Sequence, residues 1–113
     1  MQRPFVHPPI ETVTLEGILY ALADPVRLEI IRRIGSGTCA MNCSSAAPEK
    51  MAKSTQSHHF QVLREAGLIR SERCGVEVIN QLRCDEIGQK FPGLIPAILK
   101  AAEQRDKSRT AKT

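Results

Sequence analysis

Six side chains that hydrogen-bond without a fixed charge crowd into residues 54–61: Ser54, Thr55, Gln56, Ser57, His58 and Gln61. Stepping ~100° per residue, the angle of a 3.6-residue turn, places Phe60, Val62, Leu63 and Ala66 in one arc, with His59 among them. Ser54, Ser57, His58, Gln61, Arg64 and Glu65 fall opposite, and Thr55 and Gln56 lie at the edges of the apolar arc. A solvated helix face usually carries Glu and Lys. This face instead offers donors and acceptors that suit base edges in a major groove, while helix N-terminal amides can hold a phosphate.

Two other clusters invite a chemical reading. Cys39 and Cys43 would lie one turn apart on a helix. Thiolates so placed could bind a soft metal ion or form a redox-labile bond. A closed tetrahedral zinc site needs four ligands, and no third or fourth stands nearby in sequence. Small cysteines are also ordinary core residues, so thiol sensor and packing both stand as readings, and no metal site is assigned. His58 and His59 are neighbours on a helix and point ~100° apart, so they cannot serve one pocket. No nucleophile–base pair, glycine-rich phosphate loop or metal motif of useful spacing occurs. No enzymatic activity and no cofactor are expected.

The elements that must carry these residues follow from local signals. Residues 1–10 hold several prolines and read as an extended lead-in. Residues 11–23 have helical apolar spacing through Val13, Leu15, Ile18, Leu19 and Leu22. Asp24-Pro25 predicts a stop and a restart, since Asp is a good N-cap and Pro is favoured at the first helical position. The second helix is expected over residues 25–34, with Leu28, Ile30, Ile31 and Ile34 inward and Arg27, Glu29, Arg32 and Arg33 in water. Residues 38–47 read as a short helix. Ser54 is the expected cap of the next helix, over residues 54–66, which Gly67 ends. Residues 68–72 and 77–82 alternate as strands of a β-hairpin. Residues 84–90 read as a helical turn, and residues 94–105 as a last helix with Ile95, Ile98, Leu99 and Ala102 on one face. The expected order is four helices, a two-stranded β-hairpin and a last helix, a mainly α fold. Residues 11–105 form the domain, and residues 106–113 a basic tail that frays.

The chain has 113 residues, room for one compact domain, and a net charge of +4, which suits a polyanionic partner. A thin core makes dimerisation a natural source of further buried apolar area. No apolar run approaches the ~20 residues of a membrane span, and the N-terminus lacks a signal-peptide apolar region. The expected location is cytoplasmic, with reduced thiols.

Residues 53–69, Lys-Ser-Thr-Gln-Ser-His-His-Phe-Gln-Val-Leu-Arg-Glu-Ala-Gly-Leu-Ile, resemble the recognition helix of the ArsR/SmtB family. Leu22-Ala-Asp-Pro-Val-Arg-Leu28 resembles that family's signature between its first two helices. With the hairpin, the resemblance covers residues 15–83. It implies a mainly α, winged helix-turn-helix fold whose β-hairpin is a two-stranded wing, in a homodimer that represses by occupying a DNA operator and leaves it on a signal. It places Ser54, Thr55, Gln56, Ser57, His58 and Gln61 at or near the bases and Arg64 near a phosphate. In such a family the hairpin tip grips phosphate or the minor groove. Here only Arg70 and Arg73 are positive, opposed by Glu72 and Glu77, so a weaker electrostatic grip is expected. Leu15, Leu19, Ile95, Ile98 and Leu99 are the expected dimer surface. The chain departs from the family's metal-sensing patterns: it has no Cys-x-Cys pair, and no histidine follows His59. The effector stays open. The alternative function is a winged-helix module for protein contacts without specific DNA binding.

Overall fold

The computed structural model describes residues 5–36, 40–42 and 51–111. A single 3-10 turn, Ile10–Thr12, precedes α1 (Leu15–Leu22) and α2 (Pro25–Ser36). Strand β1 (Ala40–Asn42) follows, then α3 (Lys53–Glu65), β2 (Ile69–Cys74), β3 (Glu77–Leu82), α4 (Cys84–Lys90) and α5 (Leu94–Ala111). No helix among the described residues is long and apolar enough to cross a membrane.

The first helix starts later than its apolar spacing suggests. Val13 is extended, and Thr14 caps α1 by accepting a hydrogen bond from the Gly17 amide at 3.0 Å. Asp24 acts as the cap expected of it. Its carboxylate accepts from the Val26 and Arg27 amides at 2.7 and 3.2 Å. Burial alone would raise the Asp24 carboxyl. The two amides and the Arg27 guanidinium outweigh that and hold it below the usual carboxylate range.

Four expectations are corrected. Arg27 is buried, 8% exposed, because its Nε donates to the Ala21 carbonyl at 2.7 Å at the α1–α2 corner. Helix α2 runs through Gly35 to Ser36. Residues 40–42, expected in a helix, are a strand instead. They pair antiparallel with β3, Met41 opposite Asn80, satisfying an otherwise open sheet edge. Cys39 and Cys43, the expected thiol pair, lie outside the described residues. The tail does not fray at residue 106: α5 continues to Ala111. Asp106 pairs with Arg32 of α2 at 2.5 Å, and Lys107 with Glu103 at 3.2 Å.

The sheet order is β1-β3-β2, so the expected hairpin is present with β1 added on its β3 side. Gly75, at φ 65°, takes the turn position that favours glycine. The core gathers Ile18 from α1, Ile30, Ile31 and Ile34 from α2, and Phe60 and Leu63 from α3, all under 2% exposed. Burying those side chains contributes about 1.5–3 kcal/mol each. The core thus fixes one face of α3 and leaves its other face outside.

Gly67 sets how closely α3 approaches the start of the chain. Its φ is 85°, and a Cβ there would lie 2.3 Å from Val13 Cγ2. Gly67→Ala should lower stability by about 2 kcal/mol or more, measured by urea unfolding; unchanged stability would contradict this packing. Asp24→Ala should cost about 1 kcal/mol at neutral pH. The Asp24 pKa is depressed in the folded chain, so the cap's ionic contribution is full above the unfolded value near 4. It fades as pH falls through the lower folded value. The gap between Asp24→Ala and wild type should narrow across that acidic window.

Candidate nucleic-acid interface

Helix α3 lies with Phe60 and Leu63 in the core, and its opposite face is open. Ser54, Thr55, Ser57, His58 and Gln61 are exposed, and Gln56 and Arg64 are half-buried. The helix begins at Lys53, one residue before the expected start. Ala52 stands at the cap position with no side-chain hydrogen bond, so Ser54 is not the cap. Its hydroxyl instead lies on the second residue of the helix. The first acidic side chain of α3 is Glu65, in the last turn, where it accepts from the Gln61 amide at 3.1 Å. The outer face is therefore neutral or positive over its first three turns.

His59 is turned inward. Its Nδ1 lies 3.3 Å from Arg27 Nη1, which ties α3 to the corner between α1 and α2. Arg27 also lies 5.8 Å from the exposed Tyr20 ring.

The wing meets α3 at Ser71, which is 4% exposed and sits directly opposite Asn80. The Ser71 hydroxyl donates to Asn80 Oδ1 at 2.6 Å and accepts from Arg64 Nη1 at 3.2 Å. The Ser71 amide donates to His7 Nε2 at 2.9 Å. Residues from the lead-in, α3, β2 and β3 thus converge on one buried serine.

The three arginines expected at phosphates are differently placed. Arg64 reaches Ser71 from the end of α3. Arg73 is exposed on β2, and both it and Arg64 lie over the Phe5 ring. Arg70 donates to Glu86 Oε1 at 3.0 Å, an exposed pair of small energetic weight. Glu86 is held mainly by Arg83, whose Nε and Nη2 donate to its two oxygens at 3.0 and 3.2 Å. The Arg83 hydrogen bonds, and then its charge and that of Arg70, hold the Glu86 carboxyl below its usual range against desolvation.

Sequence reasoning missed Phe5, His7, Asn80 and Arg83. Asn80 left a signal: strand alternation puts it on the face shared by Val78 and Leu82, where a polar residue needs a buried partner. The others are joined by contacts that no local pattern encodes. Among the described residues, no group of three or more His, Cys, Asp or Glu gathers to hold a metal ion. Of the expected dimer residues, Leu15 and Leu19 are 40% and 47% exposed. Ile95, Ile98 and Leu99 are half-buried against the chain's own core.

A family model described as a helix-turn-helix domain matches residues 22–72. The chain is 32% identical over 82 residues to the uncharacterized HTH-type transcriptional regulator YceK of Bacillus subtilis (strain 168), spanning 72% of this chain and 82% of that protein. A crystal structure of an ArsR family transcriptional regulator superposes with a TM-score of 0.58 at 25% identity, covering 92% of this chain and 97% of the other. An ArsR-like transcriptional regulator from Rhodococcus sp. RHA1 shares the fold, with a TM-score of 0.52 at 22% identity over 87% of each chain.

Asn80→Ala should strand the Ser71 hydroxyl in a buried site and lower stability by about 1–3 kcal/mol. Urea unfolding measures it, and a loss under ~0.5 kcal/mol, the size of an ordinary surface change, would show that the hydrogen bond carries little.

Proposed function

The chain belongs to the helix-turn-helix transcriptional regulators of the ArsR type, and from that premise we propose that it represses by binding a palindromic DNA operator as a homodimer through α3. It is a DNA-binding regulator and not an enzyme. One observation carries the reading: the open face of α3 joins Ser54, Thr55, Ser57, His58 and Gln61 beside the wing, with no carboxylate before the last turn. Short hydrogen-bonding side chains near a helix N-terminus can reach base edges in the major groove, and an acid-free start avoids phosphate repulsion.

In this reading Ser54, Thr55, Gln56, Ser57, His58 and Gln61 stand at or near the bases. Arg64 and Arg73 contact phosphate, and Arg70 adds a weaker contact shared with Glu86. The exposed apolar side chains of α1, Leu15, Leu19 and Tyr20, support a dimer face. Ile95, Ile98 and Leu99 of α5 would join it by their half-exposed edges. A two-fold dimer sets half-sites about 34 Å apart, one turn of DNA. Repression would be steric, and affinity should fall steeply with salt. The compartment that fits this work is the cytoplasm, where the nucleic acid is.

The rival is a winged helix that docks a protein. Competition binding separates the two, with a preferred duplex set against random duplex. Gln56→Ala and His58→Ala should lose about 1–3 kcal/mol on the preferred duplex and little on random DNA. Arg73→Ala should weaken both alike and reduce the salt slope by about 1. Equal losses on both duplexes for Gln56→Ala and His58→Ala would remove them as base readers. A folded protein with no preference for any duplex would favour the rival.

A further inference from the structure

The lead-in does not trail into solvent. It lies across the end of α3 and the outer edge of the wing, held at several points. The Phe5 ring centroid is 4.5 Å from the Arg64 guanidinium carbon and 4.9 Å from that of Arg73. One aromatic ring thus serves an arginine from α3 and an arginine from β2. His7 Nε2 accepts from the Ser71 amide at 2.9 Å, and the Pro8 carbonyl accepts from Arg83 Nη1 at 2.8 Å. Further along, the Lys90 ammonium donates to the carbonyls of Ile10, Glu11 and Val13 at 2.6–3.2 Å.

A guanidinium has two recognition surfaces. Its face stacks on aromatic rings, and its edge directs N–H donors to phosphate. The Phe5 ring lies against both guanidinium groups, and Arg64 gives one nitrogen, Nη1, to Ser71. Packing on the ring also removes rotamer freedom that a long side chain would otherwise lose on binding. We propose that the lead-in is a working part of the DNA-contacting surface: Phe5 is a positioning residue that orients Arg64 and Arg73 toward the phosphate backbone, and His7 latches it to β2. This inference rests on the DNA-binding reading above.

The latch has a direction in pH. Only neutral imidazole can accept from the Ser71 amide. Facing His7 are the Ser71 amide and Arg70 from β2, Arg64 from α3, and Arg83 from the junction of β3 and α4. Two of these arginines, Arg70 and Arg83, are bound to Glu86 of α4. Burial first, then the charges of Arg70, Arg83 and Arg64, lower the His7 pKa below its usual value. Folding therefore favours the neutral ring. Docking is complete above the unfolded value near 6.5 and weakens as pH falls through it toward the lower folded value. General protonation of a protein near DNA would raise affinity as pH falls, so His7 acts with the opposite sign.

The test is fluorescence anisotropy on a labelled random-sequence duplex of about 30 base pairs, three turns, across a salt series. Phe5→Ala should weaken binding roughly three- to ten-fold and reduce the log–log salt slope by about 1–2, one or two phosphates lost. Phe5→Trp should restore both. Between pH 8 and 5.5, His7→Gln, whose amide oxygen accepts at every pH, should lose a fall in affinity that wild type shows relative to it. Wild-type binding with an unchanged affinity and salt slope in Phe5→Ala would overturn the inference and leave the DNA-binding reading intact. So would a pH profile of His7→Gln that superposes on wild type. Failure of wild type to bind any duplex would overturn both.

Discussion

The buried residue Ser71 ties the hairpin, the end of α3 and the lead-in to one another. Its hydroxyl donates to Asn80 across the hairpin and accepts from Arg64 at the end of α3, and its amide donates to His7. A hydrogen-bonded group in a low-dielectric site is costly to leave half-satisfied. Helix α3, the wing and the lead-in are therefore coupled through one buried residue. Among the described residues, no buried side-chain nitrogen or oxygen lacks a partner. The apolar side of the same junction is Phe60 and Leu63, which press α3 into the core and decide which of its faces remains outside.

Charge is distributed sparingly over that outside face. Helix α3 contributes hydroxyls, amides and an imidazole, and the wing contributes two arginines against neighbouring glutamates. In the proposed DNA-binding role, phosphate contact would depend on a few well-oriented guanidinium groups rather than on many cations. In that role an aromatic ring shared by Arg64 and Arg73 would matter, since preorganisation lowers the ordering cost of each contact. The exposed leucines of α1 complete the reasoning on assembly: a thin core leaves apolar side chains that a second copy can cover.

Much of this was legible in the sequence where a short-range rule governed it. Asp24-Pro25 marks a helix start because cap and first-turn residue are adjacent, and Asp24 does cap. The apolar arc of α3 follows from its 3.6-residue period, and Phe60 and Leu63 lie buried as that period requires. The two matching motifs point to the family to which the chain belongs. What was not legible depends on distance along the chain. Residues 40–42 are a strand only because β3 offers an edge. Arg27 reads as a solvated helix residue, yet the Ala21 carbonyl and His59 take it inward. His7 meets Ser71, and Pro8 meets Arg83, across 64 and 75 residues of chain. The lead-in's contacts were invisible for that reason.

The most direct test of the account is selection of bound duplexes from a random DNA pool by the reduced protein at moderate salt. The account predicts enrichment of an imperfect palindrome whose half-sites lie about one helical turn apart. Failure to enrich any sequence, from a protein shown to be a folded dimer, would contradict it and leave the outer face of α3 to a protein partner.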